Sequence, residues 1–199
     1  VYHRSEVERI ARVSFELAQS RTGRLVSVHK SNVLESSQFW QDIVHEVHKD
    51  YKDVELEHLY IDNAAMQVIK RPSSFDVILA SNLFGDIISD EVAELTGSLG
   101  MLPSASVGLN KAIYEPVHGS APDIAGQNIA NPIAAILSLS MMFKYSFNMD
   151  DISELIDDSI EKTLKNGFRT RDISSENNEK ILNCDEMGDK ILDYIKSML

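Results

Sequence analysis

The 199-residue chain holds one cysteine, Cys184, so no disulfide can close within it, and the expected setting is a reducing cytoplasm. Long apolar runs are missing. The best, Ile133 to Phe143, is eleven residues long and carries two serines, well short of the ~20 apolar residues a membrane helix needs. Residues Val1 to Glu6 lack the apolar core of a secretion signal. Positive charge is scarce, with 19 Lys and Arg against 31 Asp and Glu, a net charge of −12. Phosphate backbones demand a basic surface, so nucleic-acid partners are disfavoured. No G-x-G-x-x-G occurs, so an ordinary Rossmann fingerprint is absent. His45-Glu46-Val47-His48 looks like part of a zinc helix, but its histidines are three apart and the H-E-x-x-H spacing fails. Cys184 has no partner motif that would make it a nucleophile.

What is present is an ordered alternation. Ser5 and Glu8 read as a capping box for a first helix carrying Val7, Ile10, Ala11, Leu17 and Ala18, ended by Gly23. Leu25 to His29 reads as a strand, with Lys30 just past its end. Ser36 or Ser37 is expected to cap a second helix that buries Phe39, Trp40, Ile43, Val44 and Val47. Val54 to Ile61 alternates as a strand. Asp62 then opens a helix bearing Ala65, Met66, Val68 and Ile69, closed by Pro72. Phe75 to Ala80 reads as a buried strand, followed by a helix from about Gly85 to Leu95. This pattern predicts α/β layering. Residues 101–130 are rich in Gly, Pro, Ser and Asn. They read as long loops with one short strand near Ala112 to Glu115, and a loop of that length is usually functional. Asn131-Pro132 starts an apolar helix. Two amphipathic helices follow, about Asp151 to Lys165 and from Glu186 onward, with Gly167 as a stop. The acidic residues cluster in Asp150 to Glu161 and Glu176 to Asp193, which read as solvated helix faces.

Several groups could do chemistry. Asp86 and Asp90 are four apart on a predicted helix, so both carboxylates share one face. Either they form an exposed acidic face or a divalent cation converts their repulsion into coordination. Oxygen donors suit Mg²⁺ or Mn²⁺ rather than zinc. Asp62 at a strand-to-helix junction reads as a plain N-cap. Lys30, leaving a strand, is either solvated or serves in proton transfer beside such carboxylates. In His118-Gly119-Ser120-Ala121-Pro122-Asp123, small residues let a ligand approach the backbone. Asp123 could accept from a ribose diol and would repel a 2′-phosphate. A structural turn remains the alternative for this loop.

Taken in order, these strings resemble the β-decarboxylating dehydrogenases of the isocitrate/isopropylmalate dehydrogenase family, its isopropylmalate branch most closely. The matching segments are Tyr2 with Glu6 to Ala11, Lys30 to Glu35, Tyr60-Ile61-Asp62 with Ala65-Met66, and Asn82 to Asp90. Gly97 to Ser106, Glu115 to Gly126, Asn131-Pro132 and Glu186 to Asp189 complete them. The resemblance spans essentially the whole chain, and many independent strings agree.

The resemblance implies a two-domain α/β sandwich from which the N-terminal part is missing. Residues 1–105 would form most of the subunit-interface domain and 106–199 the C-terminal part of the cofactor-binding domain. It implies NAD-dependent oxidative decarboxylation of (2R,3S)-3-isopropylmalate to 4-methyl-2-oxopentanoate in leucine biosynthesis, assisted by Mg²⁺ or Mn²⁺, in a cytoplasmic homodimer with shared active sites. Asp86 and Asp90 match the metal ligands of one subunit, and Asp62 matches the ligand lent by its partner. Lys30, also lent across the dimer, matches the base for the C2 hydroxyl, and Tyr2 the acid that protonates C3. Glu115, His118, Gly119, Ser120, Ala121, Asp123, Ile124 and Asn131 match dinucleotide-binding positions, and Asn32 a place near the nicotinamide. Val33 matches an apolar contact to the isopropyl group. NADP-using relatives typically carry lysine and tyrosine where this chain has Asp123-Ile124. The arginines that clamp the substrate carboxylates precede Tyr2 in the family order. The chain is therefore expected to be an inactive portion of the enzyme that still dimerises. Other readings are a relative acting on homoisocitrate, tartrate or isocitrate, and a non-catalytic dimerising subunit.

Overall fold

The computed structural model describes residues 2–175 and 179–199. The second acidic stretch thus begins, at Glu176, outside the described residues. The chain divides into two compact units, Val1–Val92 and Ala93–Leu199.

The first unit runs α1 (Arg4–Gln19), β1 (Arg24–His29), α2 (Glu35–His48), β2 (Glu55–Tyr60), α3 (Ile61–Lys70), β3 (Val77–Leu79) and the start of α4 (Asn82–Thr96), a helix in which the division falls. Its three strands are parallel, in the order β2-β1-β3. The central strand β1 is buried from Leu25 onward, as a parallel strand covered on both faces must be. Alternation along it divides the core. Leu25 joins Val7, Ala11, Phe15 and Ala18 of α1 and Trp40, Ile43, Val44 and Val47 of α2. Val26 and Val28 join Ala64 of α3 and Ile88 of α4 on the other face. Asp76 ties the α1–β1 turn to β3: it accepts from the Arg21 Nε at 2.6 Å and the Thr22 N–H at 2.9 Å. The β1–β2 register runs from Arg24 opposite Glu55 to His29 opposite Tyr60. The two strands therefore end level, and the residues that follow, Lys30 and Asp62, emerge at the same edge.

Several expectations need correction. The first helix is capped two residues early: the box is His3 with Glu6, whose carboxylate accepts the His3 N–H at 3.1 Å, and Ser5 lies inside the helix. The second is preceded by Leu34 rather than capped by Ser36 or Ser37, because the turn after β1 already delivers the chain, with the Leu34 N–H donating to the Lys30 carbonyl at 2.9 Å. Ile10, Phe39, Met66 and Ile69 are exposed. Helical spacing brings each near an apolar stripe, but the packed faces are centred on Ala11 and Phe15 in α1, Trp40 and Val44 in α2, and Ala64 and Val68 in α3.

The second unit holds β4 (Pro103–Val107), β5 (Ala112–Pro116), α5 (Ile133–Phe147), α6 (Asp150–Lys165), β6 (Phe168–Arg169), β7 (Lys180–Ile181) and α7 (Cys184–Met198). Strands β4 and β5 pair antiparallel from Pro103–Pro116 to Val107–Ala112. Strand β4 corrects the reading of residues 101–111 as loop. Pro-Ser-Ala-Ser-Val offers one strong strand former, so pairing with β5 rather than propensity makes it a strand. Ile133 of α5, Ile156 and Ile160 of α6, and Met187 and Ile191 of α7 form the core. The α5–α6 contact is partly polar: the Ser140 Oγ lies 2.8 Å from the Ser153 Oγ and donates to Asp157 Oδ1 at 2.7 Å. Gly167 takes the left-handed conformation, φ +81°, that lets the chain turn out of α6. Among the described residues no helix is long and apolar enough to cross a membrane.

Candidate active site

In the first unit the candidate residues lie at the carboxyl edge of the sheet, where open parallel α/β sheets place their ligands. Lys30 leaves β1 and Asp62 sits in the first turn of α3, and the Lys30 Nζ forms an ion pair with Asp62 Oδ1. That hydrogen bond from Lys30, with backbone donation at the helix start, holds the Asp62 carboxyl below the usual carboxylate range. The expected N-cap role of Asp62 needs correction: Tyr60 holds the cap position of α3 with no side-chain cap bond, and Asp62 lies within the first turn, exposed and paired with Lys30. The turn after Lys30 is fixed by backbone bonds and by His29, whose Nδ1 accepts from the Ser31 N–H at 3.2 Å. It displays Asn32 and Val33 to solvent, Val33 being 69% exposed. Tyr2 is partly exposed and its ring lies 6.0 Å from Trp40, at a crevice shared with Val28, His29, Ser37, Ser81 and Phe84.

Asp86 and Asp90 lie one turn apart on α4, both exposed. Among the described residues no three His, Cys, Asp or Glu groups are placed to hold a metal ion. Within one copy, therefore, the structure brings Lys30 and Asp62 together but does not bring Asp62 to Asp86 and Asp90. The helix pair offers two hard oxygen donors, a set that suits Mg²⁺ or Mn²⁺ but leaves the coordination shell to be completed from elsewhere.

Histidines form a feature that spacing did not reveal. The His58 ring on β2 lies 4.5 Å from that of His45 and 5.4 Å from that of His29. Both His58 nitrogens and the His29 Nε2 are buried without hydrogen-bond partners. Burial, reinforced by His45, His29 and His48, pushes the His58 pKa down to about 4. Burial also lowers that of His29.

In the second unit the expected cofactor residues follow β5 in one segment. Glu115 is exposed on β5. The His118 ring Nδ1 lies 2.9 Å from the Gly119 carbonyl. Gly119 has no atom near the position a Cβ would take, and Ser120, Ala121 and Asp123 are exposed, so this backbone is open to a ligand. Ala121 adopts φ +41°, a left-handed conformation unusual for a residue with a Cβ and one that clusters at ligand-binding turns. A short 3₁₀ turn, Pro122–Ile124, then presents Asp123, with Ile124 half-buried. Asn131 is buried at the far end, where its Oδ1 accepts the Ile133 N–H at 3.0 Å and caps α5. Two anchors escaped the sequence reading. Asn128 accepts the Cys184 and Asp185 N–H groups, at 3.0 and 3.2 Å, and so holds the segment to the start of α7. Asp172 accepts from the Asn131 Nδ2 at 3.1 Å. Neither belongs to a recognisable spacing, since each partner lies some 40 to 57 residues away.

A model of the isocitrate/isopropylmalate dehydrogenase family matches residues 1–191. The 3-isopropylmalate dehydrogenase of Aquifex aeolicus is 58% identical over 197 residues, covering 99% of this chain and 54% of its own length. That of Chlorobium chlorochromatii is 59% identical over 175 residues, covering 88% and 50%. Among solved structures, an isocitrate dehydrogenase from Methylococcus capsulatus matches with TM-score 0.91 at 34% identity, over 98% of this chain and 57% of that one. A β-decarboxylating dehydrogenase from Thermococcus kodakarensis gives 0.89 at 38% identity, over 100% and 57%. The chain spans about half the length of the curated relatives it matches. With the parallel sheet and both candidate regions in the family order, this chain belongs to the isocitrate/isopropylmalate dehydrogenase family.

Proposed function

We propose that the protein to which this chain belongs is an NAD-dependent 3-isopropylmalate dehydrogenase of leucine biosynthesis, a cytoplasmic homodimer that uses Mg²⁺ or Mn²⁺. The observation that carries the reading is the pairing of Lys30 with Asp62 at one sheet edge, with no metal-holding set of three ligands among the described residues, while Asp86 and Asp90 offer two oxygen donors. This is the arrangement a shared site requires: each copy contributes Asp86 and Asp90 to its own site and Asp62 with Lys30 to the other. The apolar side chains of Met66 and Ile69 on α3, and of Leu83 and Ile87 on α4, are each more than half exposed, and they supply surface that a second copy can cover. In this reading residues 1–105 serve the subunit interface and residues 106–199 the cofactor.

The mechanism assigns the following roles. Asp86 and Asp90, completed by Asp62 of a second copy, would hold a divalent cation, which when bound would supply Lewis-acid polarisation of the substrate alcohol, and the segment after β5 would hold NAD⁺, which would supply the hydride acceptor. Lys30 takes the proton of the C2 hydroxyl. Loss of CO₂ leaves an enolate, and the Tyr2 phenol delivers a proton to C3. Val33 packs against the isopropyl group and Asn32 against the nicotinamide. Glu115, His118, Gly119, Ser120, Ala121, Ile124 and Asn131 hold the dinucleotide, and Asp123 accepts from the ribose diol and repels a 2′-phosphate.

A turnover panel tests the reading. With NAD⁺ and Mn²⁺ the protein should form NADH on 3-isopropylmalate far faster than on isocitrate, homoisocitrate or tartrate. A preference for one of the others would move it to another branch of the family. Absence of turnover on all four, with dimerisation intact, would favour a non-catalytic subunit.

A further inference from the structure

Around Asn131 the second unit is built more tightly than a simple helix cap needs. The Asn131 amide is used at both ends: Oδ1 accepts the Ile133 N–H at 3.0 Å, and Nδ2 donates to Asp172 Oδ2 at 3.1 Å and lies 3.5 Å from the Met101 Sδ. An amide whose oxygen and nitrogen both have fixed partners cannot flip. The third side of the cluster is Gly100. A Cβ there would stand 2.8 Å from the Asn131 Cβ and 3.1 Å from Asp172 Oδ2, so only glycine admits the pair. The Ser98 hydroxyl accepts the Gly100 N–H at 3.0 Å and fixes that approach. Asp172 itself stands at the surface with one oxygen turned inward, and among the described residues no ion pair engages it. Burial of that oxygen raises its pKa, but hydrogen bonds that include those of Ser98 and Asn131 outweigh it, so the carboxylate stays ionised. A carboxylate kept as a pure acceptor can take only the NH₂ end of the Asn131 amide, which forces the oxygen toward Ile133.

We propose that Asp172 is a positioning residue for dinucleotide binding: it orients the Asn131 amide, with Gly100 as the gap that admits the pair, and so fixes the junction of the 118–131 segment with α5. The proposal rests on the reading of that segment as the cofactor site. It assigns Asp172 no contact with the cofactor; its effect passes through Asn131.

Two readouts on the 199-residue chain separate the proposal from the reading beneath it. One is the NADH dissociation constant by fluorescence titration. The other is hydrogen exchange of the Ile133 amide, which reports the cap without any ligand. Asp172→Ala should weaken NADH binding about tenfold, the size of one lost fixed hydrogen bond, and speed Ile133 exchange by a similar factor. Asp172→Asn, which can still present an oxygen to the Asn131 Nδ2, should stay within about threefold of the parent in both. Gly100→Ala should reproduce the Asp172→Ala result while leaving the carboxylate in place. Equal losses of NADH binding in Asp172→Asn and Asp172→Ala with Ile133 exchange unchanged would mean that the charge itself is recognised, and would overturn the proposal. Unchanged exchange in both Asp172→Ala and Gly100→Ala would also overturn it. If the parent chain binds no NADH while Asp172→Ala still accelerates Ile133 exchange, the cofactor reading fails and the Asn131 lock stands. If Asp172→Ala does not fold, the Asp172→Asn and Gly100→Ala pair decides.

Discussion

The two units present their candidate residues in different ways. In Val1–Val92 the chemistry hangs on side chains at the ends of regular elements: Lys30 after β1, Asp62 in the first turn of α3, Asp86 and Asp90 one turn apart on α4. In Ala93–Leu199 it lies along a segment of irregular backbone, where Gly119 has free space and Ala121 is left-handed. Charge fixed on rigid elements suits a cation and proton transfer, because the groups must keep their spacing as charge develops. Open backbone suits a long dinucleotide whose contacts, to pyrophosphate, riboses and bases, are spread over many atoms. The contrast predicts that single substitutions in the first unit abolish chemistry, whereas those in the second shift preference and affinity.

The largest expected effect follows in the first unit. On the proposed function, Asp86→Asn, Asp90→Asn and Lys30→Ala in the protein to which this chain belongs should each lower kcat by roughly 10²–10⁴, as removal of a metal ligand or general base does. Steady-state assays across a Mn²⁺ titration should show the two aspartate variants regaining part of their activity at high metal and the lysine variant regaining none. Full activity of both aspartate variants in chelator-treated buffer would remove the metal from the account.

Next in size is association. Met66→Asp and Ile87→Asp each place a charge on an apolar face of α3 or α4. Either should convert a dimer to monomers at micromolar concentration, read by sedimentation equilibrium, and a chain that is monomeric without them would refute the interface. The second unit should answer more gently. Asp123→Lys should reduce the preference for NAD⁺ over NADP⁺ in kcat/KM by at least about tenfold, since it exchanges repulsion of the 2′-phosphate for attraction. An unaltered ratio would show that this loop does not face the ribose.

The smallest effect concerns stability and belongs again to the first unit. His58 resists protonation in the folded chain until about pH 4, whereas unfolding restores its ordinary value of 6.5. The unfolded state therefore binds more protons between those limits. Stability is complete above pH 6.5, falls as pH drops toward 4 and levels off below. With the ring only partly shielded from solvent, the loss should be on the order of 1–2 kcal/mol. His58→Phe should flatten this part of the pH profile in thermal melts. An unchanged slope would show that the other histidines and the carboxylates carry it.

The same contrast explains what was legible in the sequence. Strands β1, β2 and β3 and their helices were readable because apolar periodicity is a local signal and both faces of the sheet are buried. The acid pair Asp86–Asp90 was readable because helical spacing puts i and i+4 on one face. Helix starts were less so: His3 and Leu34 precede α1 and α2, where the cap preferences pointed to Ser5 and to Ser36 or Ser37, because the entering chain decides which turn closes first. Strand β4 has weak propensity and exists through its pairing with β5. In the candidate cofactor segment the small residues and Asp123 pointed to a ligand, and matching strings pointed to the rest. Its anchors stayed hidden because Asn128–Asp185 and Asn131–Asp172 are contacts between distant parts of the chain. The His29–His45–His58 cluster is of the same kind, assembled from β1, α2 and β2 with no shared spacing.

The central claim is that each metal site is completed by two copies of the chain, and Mn²⁺ binding to mixed dimers tests it most directly. The parent should hold one tight Mn²⁺ per chain by electron paramagnetic resonance titration, and Asp62→Asn and Asp86→Asn alone should each hold none. After subunit exchange of equal amounts, half of the dimers pair an intact Asp62 from one chain with an intact Asp86 from the other at a single site. The account therefore predicts recovery of about a quarter of the parent's sites, by random pairing of the two chains. Tight binding retained by either variant alone, or no recovery on mixing despite demonstrated exchange, would contradict it.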